Sequence, residues 1–195
     1  MAKRNPFCQA ILNSKMPLLS PKHTFISIFL LEEKKNSNSK WRHYIDLLPV
    51  DHSCFPINFK NEELGELVGS PFLFMIHEKV MDLRRDYDTI LKADRGFEKY
   101  SFKEFCWARM MVGSRIFGLN ITGVKTEVLV PFADMLNHRL PKQTAWNYVE
   151  SMNGFLIESL EDIEIGQEVF DSYGRKCNSR FLLNYGFVIP SNKDN

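Results

Sequence analysis

Three side chains of different chemistry crowd one short stretch of this chain. The carboxylate of Asp134, the amide of Asn137 and the imidazole of His138 fall within five residues, in the run Val128-Leu129-Val130-Pro131-Phe132-Ala133-Asp134-Met135-Leu136-Asn137-His138. An asparagine offers a hydrogen-bond donor and acceptor together, the combination that suits a zwitterionic ligand. Two later stretches belong with it: Asp171-Ser172-Tyr173-Gly174 and Asn184-Tyr185-Gly186-Phe187, each with a phenol beside a glycine. Each residue has a plainer reading. Asn137 can cap a turn, His138 can be a satisfied core histidine, and Tyr173 can be an edge-strand aromatic with its hydroxyl in water.

The elements that must carry these groups can be read from periodicity. Val128 to Val130 is an apolar run with β-branched residues, which predicts a short buried strand, and Pro131 removes a backbone donor and ends it. Further strands are predicted over 145–150, 154–160 and 168–172, and Asn178 begins a closing helix to Asn184. Upstream the pattern is helical. Residues 1–19 show no clear periodicity and are expected to be irregular. Ser20-Pro21 starts a helix with Phe25, Ile28, Phe29 and Leu31 on its apolar face, ending in the polar cluster 34–39. Trp41, Tyr44, Ile45 and Leu48 mark a short helix before Pro49, Asn61 to Leu67 another, and Pro71 to Leu91 a longer one. Ser101 with Glu104 forms a capping box for a helix carrying Phe102, Phe105, Cys106, Met110 and Phe117 through Ile116.

Composition narrows the class. The 195 residues are enough for one domain with a real core, or for one domain plus a helical insertion. With 25 basic against 24 acidic side chains, the charge points to neither nucleic acid nor a membrane surface as a partner. No stretch approaches the ~20 apolar residues of a membrane span, and no signal-peptide pattern opens the sequence. Cys8, Cys54, Cys106 and Cys177 are too scattered to bind zinc as close pairs, so no metal site is expected, and the cytoplasm or nucleus is the expected compartment.

The ordered match of the three motifs resembles the SET-domain protein methyltransferases, in the branch with a long internal insertion that includes the Rubisco lysine and actin-histidine methyltransferases. Ser39-x-Trp41-x-x-Tyr44-x-x-x-Leu48-Pro49, a Ser114-Arg115 pair at a helix end and the acidic turn Glu161 to Glu168 with Gly166 extend the likeness over residues 20–189. The resemblance implies an α+β fold, a SET core of short strands with an inserted helical subdomain. Its parts are an irregular start (1–19), a helical lead (20–60), a helical insertion (61–126), the C-terminal SET core (127–189) and a polar tail (190–195). It further implies S-adenosylmethionine as cofactor and a lysine of a non-histone protein as substrate.

By the same resemblance, Asn137 contacts the methionyl part of the cofactor, the His138 backbone its adenine edge, Phe187 packs on the ring and Arg115 meets the carboxylate. Tyr173 is the catalytic tyrosine, and Tyr185 is shared between cofactor and lysine channel. Ser114 and Asp134 line the lysine end, Asp134 counting toward the cofactor as well, and Tyr148 is a further channel candidate. Actin-histidine enzymes have an asparagine and a tryptophan where this chain has Phe117 and Ala133, so an alkylamine suits this pocket better than an imidazole. The family completes its cofactor site with a glycine-containing N-terminal loop, but the first glycine here is Gly65. The expectation is therefore a fragment, a truncated product or a degenerate member, with a non-catalytic partner-binding module as the alternative to an enzyme.

Overall fold

The structure is a computed structural model that describes residues 1–195. It divides into two compact units, Met1–Ser114 with Lys176–Asn195, and Arg115–Arg175.

The first unit is helical. Its helices are α1 (Pro6–Ser14), α2 (Pro21–Lys35), α3 (Arg42–Leu47), α4 (Asn61–Gly65), α5 (Pro71–Ala93), α6 (Phe102–Arg115, whose last residue opens the second unit) and α7 (Asn178–Tyr185). The irregular start expected for residues 1–19 is corrected by α1. Asn5 accepts a hydrogen bond from the Phe7 N–H at 2.9 Å, Pro6 occupies the first helical position, and Phe7, Cys8 and Ile11 are buried. Those three apolar positions in nine residues give too thin a stripe to stand out in the sequence. The remaining helices fall where periodicity puts them, to within a few residues.

The core of this unit is aromatic. Phe97, fully buried, meets Phe7 edge-on at 5.2 Å and Tyr100 at 5.2 Å, while Tyr87 meets Phe105 at 5.6 Å and donates its hydroxyl to the Tyr100 carbonyl at 2.6 Å. Cys8 and Cys106 are buried as small apolar groups, and burial pushes both thiols up to about 12. A buried ion pair ties three helices together. Asp86 of α5 accepts from Arg109 of α6 at 2.9 Å, from the Thr24 hydroxyl of α2 at 2.8 Å and from the Leu19 N–H at 2.7 Å.

The second unit carries the strands β1 (Ile116–Ile121), β2 (Val124–Leu129), β3 (Asn137–His138), β4 (Thr144–Val149), β5 (Gly154–Ser159) and β6 (Phe170–Asp171). β1 and β2 form an antiparallel hairpin from Ile116 opposite Leu129 to Ile121 opposite Val124, turned by Thr122 and Gly123, both at positive φ. The helical reading of Phe117 is thereby corrected. Beyond Arg115 the burial alternates, with Phe117 and Leu119 inside and Gly118 and Asn120 outside, which is the period of a strand. The expected insertion over 61–126 is thus helical only as far as α6 and continues into this hairpin. β4 and β5 make a second antiparallel hairpin, and β3 pairs in parallel with β6, Asn137 opposite Phe170 and His138 opposite Asp171. The α+β reading stands, with helices in one unit and three two-stranded sheets in the chain.

Candidate functional site

The strand unit gathers Arg115, Asp134, Asn137, His138 and Tyr173, half of the candidate side chains, at the β3–β6 pair and the turn before it. Pro131 ends β2, and a 3-10 turn, Ala133–Met135, leads into β3. Asp134 lies in that turn with its side chain fully buried, 3.7 Å from the Arg115 guanidinium. Arg115, the last residue of α6, also donates to the Asp134 carbonyl at 2.8 Å, so one cation holds both the backbone and the carboxylate of the turn. The Arg115 Nε is buried and has no hydrogen-bond partner, which leaves a donor of positive charge available to an anionic ligand group.

The parallel pair fixes the next three residues. Tyr173, just past β6, donates its backbone N–H to His138 Nδ1 at 3.0 Å, and the two rings stack at 5.2 Å with 28° between their planes. With Nδ1 as acceptor, the neutral imidazole carries its proton on Nε2. The Tyr173 hydroxyl donates to the Leu136 carbonyl at 2.7 Å. That bond uses the phenol proton, so toward any further polar partner the oxygen acts as an acceptor. Asn137 is exposed, and its amide nitrogen donates one hydrogen to Glu168 at 2.6 Å, so a second N–H and the carbonyl oxygen are the groups it can offer a ligand.

Other candidates sit elsewhere in their units. Phe117 is buried in a triad, edge-on to Trp146 at 5.1 Å and to Phe155 at 5.1 Å. Tyr148 on β4 pairs with Phe155 and donates its hydroxyl to Asn153 at the hairpin turn, 2.7 Å away. In the helical unit, Ser114 donates to the Met110 carbonyl one turn back in α6 at 2.8 Å. Tyr185 and Phe187 flank Gly186 at the end of α7 and share Phe181 as neighbour, at 6.0 Å and 5.1 Å. Burial raises the Tyr185 phenol above its ordinary value, and Lys176 stands over its ring at 5.6 Å. No group of three or more His, Cys, Asp or Glu side chains is arranged to hold a metal ion.

Three contributors escaped the sequence reading. Glu168 orients Asn137, Leu136 holds Tyr173 through a backbone carbonyl, and the buried Gln143 accepts from the Phe170 N–H at 2.8 Å while donating to Glu161 at 2.9 Å. The contacts of Glu168 and Leu136 accompany the parallel pairing of β3 with β6, and Gln143 bonds residues 27 and 18 positions away in the chain. A carbonyl, moreover, has no signature in a sequence.

The SET domain model matches residues 20–174. This chain belongs to the SET-domain family. Among curated proteins, this SET domain is 27% identical over 186 residues to ribosomal lysine N-methyltransferase set10 of Schizosaccharomyces pombe, covering 93% of this chain and 34% of that protein. It is 29% identical over 189 residues to the chloroplastic Rubisco large-subunit N-methyltransferase of Pisum sativum, covering 85% and 37%. To SET domain-containing protein 4 of Mus musculus it is 30% identical over 192 residues, covering 90% and 43%. It therefore spans well under half the length of these relatives. A solved SET domain of LSMT bound to lysine and AdoHcy shares its fold, with a TM-score of 0.80 at 23% identity over 99% of this chain and 45% of the other.

Proposed function

We propose that this SET domain is a protein-lysine N-methyltransferase, or the greater part of one, that uses S-adenosylmethionine and acts on a non-histone protein of the cytoplasm or nucleus. The observation that carries the reading is the Tyr173 hydroxyl, immobilised by donation to the Leu136 carbonyl on the turn that also bears Asp134 and Asn137. A phenol whose proton is already committed presents lone pairs to an amine N–H, which aligns the amine nitrogen without a mobile side chain.

When bound, the cofactor supplies an electrophilic methyl on a sulfonium. The residues present fit it. The unpartnered Arg115 Nε suits the ligand carboxylate, the outward carbonyl of Asn137 suits its ammonium, and the backbone of His138 is proposed for the adenine edge. Roles for Ser114, Tyr185 and Phe187 are proposed on resemblance alone. The chain's own work is then to hold the amine uncharged and in line. With the cofactor bound, the Tyr173 oxygen would accept an N–H of the amine and keep the amine lone pair directed at the methyl the cofactor supplies, and the product ammonium would release its proton to solvent. A positive sulfonium beside the amine lowers its pKa, so no strong general base is needed. By resemblance, the positions at which actin-histidine enzymes carry an asparagine and a tryptophan are Phe117 and Ala133 here, and the lack of that amide favours lysine over histidine as acceptor.

Two of the relatives reported above are named as a ribosomal lysine N-methyltransferase and as an N-methyltransferase of the Rubisco large subunit, which supports a non-histone protein as substrate. The test is calorimetric titration of the chain with S-adenosylmethionine, followed by methyl incorporation into peptides bearing a single Lys, His or Arg. Saturable binding is expected, with methylation of the lysine peptide and a rate loss of ~10²-fold or more in Tyr173→Phe at unchanged cofactor affinity. Asn137→Ala is expected to weaken cofactor binding while melting normally. Equal rates in the parent and in Tyr173→Phe would remove the hydroxyl from the chemistry. No cofactor binding at all would favour the partner-binding module.

A further inference from the structure

Phe132 is strained and exposed at once. Its backbone lies at φ 71 and ψ −43, a region that a bulky side chain rarely enters, and 74% of its surface is open to solvent. Burial of the ring therefore does little to offset the strain, and a glycine would satisfy the turn with less. The surroundings enforce the conformation. The Asp134 N–H bonds the Val130 carbonyl at 3.2 Å, the Met135 N–H bonds the Phe132 carbonyl itself at 3.1 Å, and Arg115 grips the Asp134 carbonyl at 2.8 Å. Strain held in place this way concentrates at functional positions.

The location says which function. Phe132 opens the 3-10 turn that ends at the Leu136 carbonyl, the acceptor of the Tyr173 hydroxyl. From Val128 to Leu136 the only charged side chain is Asp134, fully buried beside Arg115. Within the turn Phe132 is the exposed residue, and its ring is apolar and uncharged. We propose that Phe132 is a specificity residue that receives an apolar side chain flanking the target lysine of the protein substrate, an inference resting on the lysine-transfer reading above.

The test uses the full chain and two heptapeptides with one central lysine, flanked on both sides by leucine in one and by aspartate in the other. Binding is followed by fluorescence anisotropy and methyl incorporation is measured in the same samples. The parent is expected to bind the leucine peptide about tenfold more tightly or better, the scale of one buried aliphatic contact. Phe132→Ala and Phe132→Gly should bring the preference to about twofold or less. Phe132→Gly should also melt at or above the parent temperature, because it relieves φ strain and removes no buried ring. A parent without preference, a preference surviving in Phe132→Ala, or a lowered melting temperature in Phe132→Gly would overturn the proposal. Selective binding without methyl transfer would retain Phe132 as the specificity residue and sink the transferase reading. Equal binding and equal transfer to both peptides would do the reverse.

Discussion

Gly186 ends α7 at φ +78, a conformation in which an L side chain crowds its own carbonyl, and a Cβ built there would lie 2.7 Å from the Cys54 sulfur and 3.4 Å from the Cys54 backbone carbon. Two independent requirements thus meet at the glycine between Tyr185 and Phe187. Gly186→Ala is expected to cost about 2–4 kcal/mol, from the left-handed backbone and the clash together, and to lower the melting temperature by roughly 5–12 °C. In the Cys54→Ala background the clash with sulfur disappears and about 1 kcal/mol of backbone cost remains. Thermal melts of the two singles and the double measure this directly. An alanine variant as stable as the parent would mean that the α7 terminus relaxes freely, and that the positions of Tyr185 and Phe187 are not set by this cap.

The helix that delivers Arg115 is itself controlled from its other end. Ser101 donates its backbone N–H to Glu104 at 2.8 Å, and Glu104 returns its N–H to the Ser101 hydroxyl at 3.2 Å, which closes the capping box read from the sequence. The Ser101 N–H, and then the Ser101 hydroxyl and Lys35 and Lys34, lower the Glu104 carboxyl below its usual 4.5. A carboxyl with a depressed folded-state pKa contributes stability that is present above the unfolded value and lost as pH falls through the folded one. The melting temperature should therefore fall on acidification below about pH 4.5, and Glu104→Gln should flatten that part of the profile. Ser101→Ala removes the hydroxyl that receives the Glu104 N–H and should cost about 1 kcal/mol near neutral pH. Identical acid limbs for the parent and Glu104→Gln would show that other carboxyls govern this range.

Across the helical unit, stability is concentrated in one buried polar group. Asp86 is 1% exposed and joins α2, α5, α6 and the segment before α2 through Thr24, Arg109 and the Leu19 N–H. Asp86→Ala leaves the Arg109 guanidinium charged and buried, with an expected loss of about 3–5 kcal/mol, or roughly 6–20 °C in melting temperature. Replacing both members, Asp86→Leu with Arg109→Met, removes the stranded charge and should restore most of the loss. Calorimetric melts of the single and double variants decide the matter. A double variant as unstable as the single would assign the loss to packing and to the orphaned Leu19 N–H.

Local physics was enough for much of this protein. Proline and serine at helix starts, the box of Ser101 and Glu104, the strand stopped at Pro131 and the order of the Asp-Asn-His, Tyr-Gly and Tyr-Gly-Phe motifs are short-range signals, and they placed nearly every helix and the family. The signal failed where the deciding partner was distant or the pattern was short. Phe117 continues a helical stripe by spacing, yet pairing with Val128 turns it into a strand residue among Trp146 and Phe155. The α1 stripe of three buried residues needed the aromatic core around Phe97 to become worth forming. Asn137 and Tyr173 were legible as types. Their contacts with Glu168, His138 and the Leu136 carbonyl come from a parallel pair whose strands lie more than thirty residues apart, and such pairing is fixed by the packed chain as a whole.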